Sequence, residues 1–343
     1  MRQHSEHPTI RIFLAVLIGT ACLGGISGCG ITRAPVIEPF IVTTFVEFPN
    51  ELQRLQVMVE SLRTFGGRYK DAPVWAYVAD ELLESPSEFL EAAKLLGAEI
   101  RRISVPEDVA WYFLVRKVFA AAHAENEAAG KAGILARLDP DTIFVDEPAE
   151  YILPGGKTMG WRPVFHRNIS PLFDEPLDDY WSRAYEVMGI RDAAVFPMVT
   201  PADEDKIRPY FQAGCVAVRP ERGLFKKWEE SLVALARDPV IREICQKDQP
   251  KRTFTFQVAL TGAILNNLER GEMLAFSDRT NYPIFFREMF GARKDFHDIT
   301  GVATVRYEYF LQNTPPDWDK KLQGPADKIA WIKARFGKED LPR

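Results

Sequence analysis

At 343 residues, 46% hydrophobic and 27% charged, the chain has an ordinary globular composition, long enough for one large core or two modest ones. A formal charge of −5 with no long basic cluster argues against nucleic acid as the main partner. Its 4 cysteines form neither a disulfide framework nor a zinc-ligand spacing.

In chain order, "MRQHSEHPTIR" supplies Arg2 and Arg11 ahead of "IFLAVLIGTACLGGISG", a short apolar run broken by glycines. That run is too short and too glycine-rich for a comfortable membrane span, and it has the layout of a secretory signal peptide. It ends Ile26-Ser27-Gly28-Cys29, which resembles the bacterial lipobox. The resemblance implies cleavage before Cys29 and a diacylglycerol on its thiol, hence a membrane-anchored lipoprotein on the periplasmic side of the cell envelope. The expected organisation is a signal over 1–29, a tether over 30–38 and a single domain over 39–343. Cys22 falls in the signal, leaving Cys215 and Cys245 as buried thiols or at most one bridge.

"PFIVTTFVE" reads as a buried strand, and "PNELQRLQVMVESLRTFG" as a helix with Leu52, Leu55, Val59 and Leu62 on one face and a stop at Gly66-Gly67. A strand at "APVWAYVAD", a helix at "SEFLEAAKLLG", a strand at "AEIRRISV", a helix from Asp108 to about Ala129 and a strand at "GILARLD" follow. Strands alternating with helices predict βαβ units and a parallel sheet, whose ligands bind outside the carboxyl ends of the strands. The second half is less regular. A proline- and aromatic-rich segment, "GGKTMGWRPVFHRNISPLFDEPLDDYW", reads as a loop or extended insertion over the open edge of the sheet. Helices are expected at "DDYWSRAYEVMGI", "GLFKKWEESLVALARD", "TFQVALTGAILNNL" and Asp327 to Phe336, with a strand at "PYFQAGCVAVRP" and a loop at "RTNYPIF".

Asp139 and Asp141 stand where the fourth strand ends. Aspartates at i and i+2 on extended backbone point to the same side, and both can reach one hard divalent cation such as Mn²⁺ or Mg²⁺. A metal so held keeps open positions for the oxygens of a diphosphate. A lone D-x-D also occurs in turns, so the surrounding pattern matters.

That pattern resembles the nucleotide-diphospho-sugar transferases of the GT-A fold, especially the glycogenin-like and lipopolysaccharide-galactosyltransferase-like groups. Their "LDADTIVLRDP" is matched by "LDPDTIFVDEP", with Glu147 in place of an aspartate. Their "YFNAGVLLLN" is matched by "YFQAGCVAVRP", with Gln212 in the asparagine position, and "LFKKWEES" follows. "DQDALN" is echoed by "FQVALTGAILN", where Gln257 matches and Phe256 replaces the acid. The resemblance covers roughly residues 39 to 310. It implies a Rossmann-like α/β fold, a mostly parallel sheet flanked by helices, and an elaborated carboxyl-terminal half.

It also implies an activity and a set of residues. The activity is metal-dependent transfer of a sugar from a UDP- or GDP-linked donor to a hydroxyl acceptor. Asp139 and Asp141 would bind Mn²⁺ or Mg²⁺ and the donor, with Asp298 of "HDITG" standing in for the histidine of the family's "HFTG". Thr43, Thr44 and Lys117 would lie near the donor, and Gln257, the catalytic candidate, would face the sugar or the acceptor. "WRPV" and "NYP" resemble hydroxyproline-glycosyltransferase-like relatives, which offers Trp161, Arg162 and Asn281 to the acceptor. The alternative is a catalytically degenerate lipoprotein that uses the groove to bind glycan or protein. Its motives are the export signal, Phe256 and the altered histidine motif.

Overall fold

FIVTTFV, apolar or β-branched at every position, forms strand β1 (Phe40–Val46), which is buried throughout. That is the environment of a strand covered by helices on both faces. The computed structural model describes residues 39–308 and 314–336. Helix α1 (Pro49–Phe65) opens with Pro at its first turn and ends at Gly66, and the next residue, Gly67, takes a positive φ of 56°. Then come β2 (Val74–Val78), the short α2 (Asp80–Leu83), α3 (Glu88–Leu95), whose start is capped by the Ser87 hydroxyl, β3 (Ala98–Arg101), α4 (Val115–Ala128) and β4 (Ile134–Leu138). The helix expected from Asp108 therefore begins later, at Val115. Tyr112 is fully buried, and its hydroxyl donates to the Thr253 carbonyl and accepts from Phe256 N, so a tertiary contact overrides the local helical pattern.

The second half supplies β5 (Thr142–Phe144), β6 (Met159–Pro163), α5 (Asp179–Met188), β7 (Met198–Val199), β8 (Lys206–Ile207) and β9 (Phe211–Val218). Helices α6 (Leu224–Arg237), α7 (Pro239–Lys247) and α8 (Gln249–Asn267) follow, then β10 (Met273–Ala275), β11 (Tyr282–Pro283), α9 (Phe286–Phe290), β12 (Thr304–Arg306), α10 (Trp318–Lys321) and α11 (Ala326–Phe336). The main sheet has 7 strands in the order β10-β6-β9-β4-β1-β2-β3. β1 pairs in parallel with β2 and β4, and β10 with β6, while β9 runs antiparallel to both β4 and β6. The sheet is mostly parallel with one reversed strand.

β6 corrects the sequence reading, which made this stretch part of a loop or extended insertion over the sheet's edge and not a strand within it. Its residues, MGWRP, have no period of two, and its partners β9 and β10 lie far along the chain. A Cβ at Gly160 would collide with the Phe276 ring, so the strand is fitted to its neighbour by what it lacks. Period two does sort the flanking cores. Ile41, Phe45 and Leu135 pack with Val216, Trp228 and Leu260 on one face, and Val42, Ala136 and Cys215 pack with Leu55 and Leu62 on the other.

A second sheet, β11-β12-β5, sits at the carboxyl end of β4. There β12 pairs antiparallel with β5, bringing Arg306 opposite Thr142. Cys215 and Cys245 are both buried free thiols, not a bridge. Among the described residues no helix is long and apolar enough to cross a membrane.

Candidate active site

β4 ends at Leu138, and Asp139-Pro140-Asp141 crosses from it to β5 in a turn closed by Thr142 N donating to the Asp139 carbonyl at 3.2 Å. β9 and the residue after β12 clamp the turn from two sides, with Asp139 N donating to Gly214 O at 3.0 Å and Tyr307 N to Asp141 O at 3.2 Å. Above it opens a cleft of ≈ 580 Å³ whose lining includes Lys117, Asp139, Asp141, Gln257, Arg306 and Glu308. That volume lies within the range of small-molecule sites.

The charges in the cleft are tightly partnered. Asp139 Oδ1 meets Arg137 Nη2 at 2.6 Å and Lys117 Nζ at 3.2 Å, and its Oδ2 meets Arg306 Nη1 at 2.9 Å. Arg306 Nε also binds Asp141 Oδ2 at 3.0 Å, so one guanidinium bridges both carboxylates. Burial by itself would raise the Asp139 pKa, but Arg137, Lys117 and Arg306 outweigh it and hold the group well below the ordinary carboxylate range. Burial would likewise lower Arg306, but Asp141, Asp139 and Glu308 raise it instead. Glu308 is pushed up to about 7, mainly by burial, against the pull of Arg306. Arg137 lies beneath the cluster, 1% exposed, and donates to the Ala213 carbonyl. Gly214 is required here, because a Cβ would collide with both the Arg306 guanidinium and the Asp139 carboxylate.

This arrangement does not fit a divalent ion shared by the two aspartates. Both oxygens of Asp139 and one of Asp141 already face cations. Of the four oxygens of these two carboxylates only Asp141 Oδ1 faces no cation; it is buried without a hydrogen-bond partner among the described residues, and a single carboxylate oxygen is a poor seat for such a metal. A second positive ion would also stand beside three basic groups.

Of the residues expected from sequence, the cleft brings together Lys117, Asp139, Asp141 and Gln257. The Gln257 amide is fixed, its Oε1 accepting from Ala213 N at 3.1 Å and its Nε2 donating to the Tyr210 hydroxyl at 3.2 Å. The other expected residues lie elsewhere. Thr43 and Thr44 are buried on adjacent positions of β1 and so face opposite sides of the sheet; the Thr43 hydroxyl donates to the Trp75 carbonyl. The same chain segment reaches the cleft only farther on, at Phe48, Asn50, Glu51 and Arg54. Trp161 and Arg162 line a separate hollow of ≈ 460 Å³, where Arg162 pairs with Asp278 at 2.8 Å. Asn281 is fully buried, with φ 58° and its backbone N donating to the Thr304 hydroxyl. Asp298 is exposed outside the cleft, its carboxylate accepting from Thr300 N, while His297 contacts Glu288. Cys29 lies outside the described residues.

Arg306, Arg137 and Glu308 escaped the sequence reading. Arg137 had a signal, since it stands two residues before Asp139 on extended backbone and so shares its side. Arg306, 165 residues from Asp141, had none nearby.

A mostly parallel sheet flanked by helices, with one reversed strand, is the architecture of the GT-A fold. The chain belongs to the Rhodobacterales glycosyltransferase domain family, whose family model matches residues 45–267. It is an enzyme of sugar transfer. No curated protein matches the sequence. Among solved structures it is similar to an active-site mutant of LgtC, at 18% identity and a TM-score of 0.44 over 89% of this chain and 98% of that one. It is also similar to the galactosyltransferase LgtC in complex with donor and acceptor sugar analogues (16%, TM-score 0.40, 89% and 98% covered). A third likeness is to apo mouse xyloside xylosyltransferase 1 (12%, TM-score 0.39, 79% and 98% covered).

Proposed function

We propose that the enzyme transfers a sugar from a nucleoside-diphosphate donor, UDP- or GDP-linked, to a hydroxyl of its acceptor. The observation that carries this is the cluster of Lys117, Asp139, Asp141 and Arg306 on the floor of the cleft, where open α/β sheets bind ligands. Phe48, Phe254 and Phe256 along the same cleft offer faces on which a nucleobase or sugar ring can stack. In the reaction the acceptor oxygen bonds to the anomeric carbon, and the bond from that carbon to the diphosphate oxygen breaks. The electron pair leaves on the diphosphate, and the hydroxyl proton passes to water. Gln257 carries no titratable proton, so its part is to orient the donor sugar through the remaining hydrogen-bonding capacity of its amide. Mn²⁺ or Mg²⁺ is the cofactor the D-x-D motif implies, but the donor set favours no step through it, since Arg306 already bridges both aspartates.

A panel of UDP- and GDP-sugars, followed by release of the nucleoside diphosphate, tests the reading. Release by native protein should fall at least about tenfold in Asp139→Asn, because the cations then lose their anchoring charge. If no donor is turned over or hydrolysed, the degenerate binding module becomes the better account. For the cellular site we infer a lipid anchor at Cys29, supported by the Ile26-Ser27-Gly28-Cys29 sequence behind a short apolar run.

A further inference from the structure

We propose that the Arg306 guanidinium takes the place of a divalent cation: with Lys117 it binds the donor's diphosphate, and Asp139 and Asp141 hold that guanidinium rather than a metal. The inference rests on the sugar-transfer reading above and deepens it.

The site is built for this arrangement. β12 is fixed against β5 with Arg306 opposite Thr142, and Tyr307 N donates to Asp141 O, so the arginine backbone is tied directly to the D-x-D turn. The guanidinium uses Nε on Asp141 and Nη1 on Asp139. Nε also lies 3.7 Å from Glu308 Oε1; an arginine has five N–H donors in a planar fork, more than these three ion pairs consume, and the fork matches phosphate oxygens. Arg306 and Lys117 both line the cleft, with side chains 11% and 10% exposed, whereas Arg137 at 1% balances charge from below. Gly214 keeps the space that the Arg306–Asp139 pair fills. When the bond between the sugar and the diphosphate breaks, one negative charge develops on the departing oxygen. Two fixed cations beside it supply the stabilisation that a metal would otherwise give. Because an arginine does not lose its proton in the accessible pH range, that stabilisation is permanent.

The test is calorimetric titration of UDP and GDP into the full chain, once with EDTA and once with Mn²⁺. The expected result is one affinity, equal within about threefold under both conditions, and weakened at least about tenfold in Arg306→Lys, which keeps a charge but loses the fork. If Arg306→Lys does not fold, Lys117→Met reads the other cation and should weaken binding similarly in EDTA. Binding that requires Mn²⁺, or a folded Arg306→Lys that binds like native protein, overturns the inference while leaving sugar transfer intact. Binding of neither nucleotide under either condition overturns both.

Discussion

Gly214 and Arg306 illustrate how a site can depend on residues with no reactive chemistry of their own. The glycine faces the D-x-D turn from β9, and its missing side chain is the space in which the guanidinium meets Asp139. Gly214→Ala should therefore displace Arg306 or Asp139 rather than merely crowd an already adaptable surface. We expect nucleoside diphosphate affinity to fall at least about tenfold, and stability by about 1–3 kcal/mol, the usual range for overpacking a filled interior. Calorimetry and urea melts read the two effects separately, and a variant indistinguishable from native in both would show that the pair tolerates displacement. At this scale the sequence was partly informative. The two aspartates announce themselves by spacing, and Arg137 shares their side of the extended chain. Arg306 is invisible until β12 is seen against β5, because no local pattern ties residues so far apart.

Among elements, the junction of α4 with α6 carries a buried charge outside the cleft. Glu125 on α4 is 1% exposed, and its carboxylate accepts from Lys226 N at the start of α6. Burial raises its pKa to about 7 despite backbone N–H groups of Phe225, Lys226 and Leu224 that pull the other way. The folded protein thus holds the proton more tightly than the unfolded chain does. The contribution of this group to stability is whole below the ordinary carboxylate pKa of 4.5 and is lost as pH rises through about 7. Glu125→Gln has no charge to bury, so it should leave stability at about pH 4, below the ordinary carboxylate pKa, nearly unchanged. At pH 8 it should raise stability by something on the order of 2 kcal/mol. Denaturant melts at the two pH values check this; a variant less stable than native at pH 8 would mean that the α6 N-terminus favours the anion after all. Element prediction from sequence succeeded where the local pattern was strong, as in the unbroken apolar run of β1 and the helically spaced leucines of α1. It failed at β6, whose tryptophan, arginine and proline carry no period and whose strand character comes from the ladders on either side.

For the whole molecule, a glycosyltransferase domain follows an amino-terminal segment that reads as a lipoprotein signal. The segment bears on where the enzyme works, since a donor nucleotide sugar and an exported domain must meet on the same side of a membrane. Labelling cells with radioactive palmitate should tag the native chain and leave Cys29→Ser unlabelled. Equal labelling of both would remove the proposed anchor without touching the catalytic reading, which rests on the cleft alone.

The sequence by itself determined the alternation of strands and helices, the position of the two aspartates at a strand's end, and the resemblance to sugar transferases. These are local properties, written in hydrophobic period and in the spacing of a few residues. Only the tertiary structure decided what the aspartates touch. The middle strand of the small sheet, β12, returns from late in the chain and delivers a guanidinium between them, where spacing alone suggested a metal. Charges respond to distance in space and not to distance along the chain, so the partners of a buried carboxylate are settled when the sheets close around it.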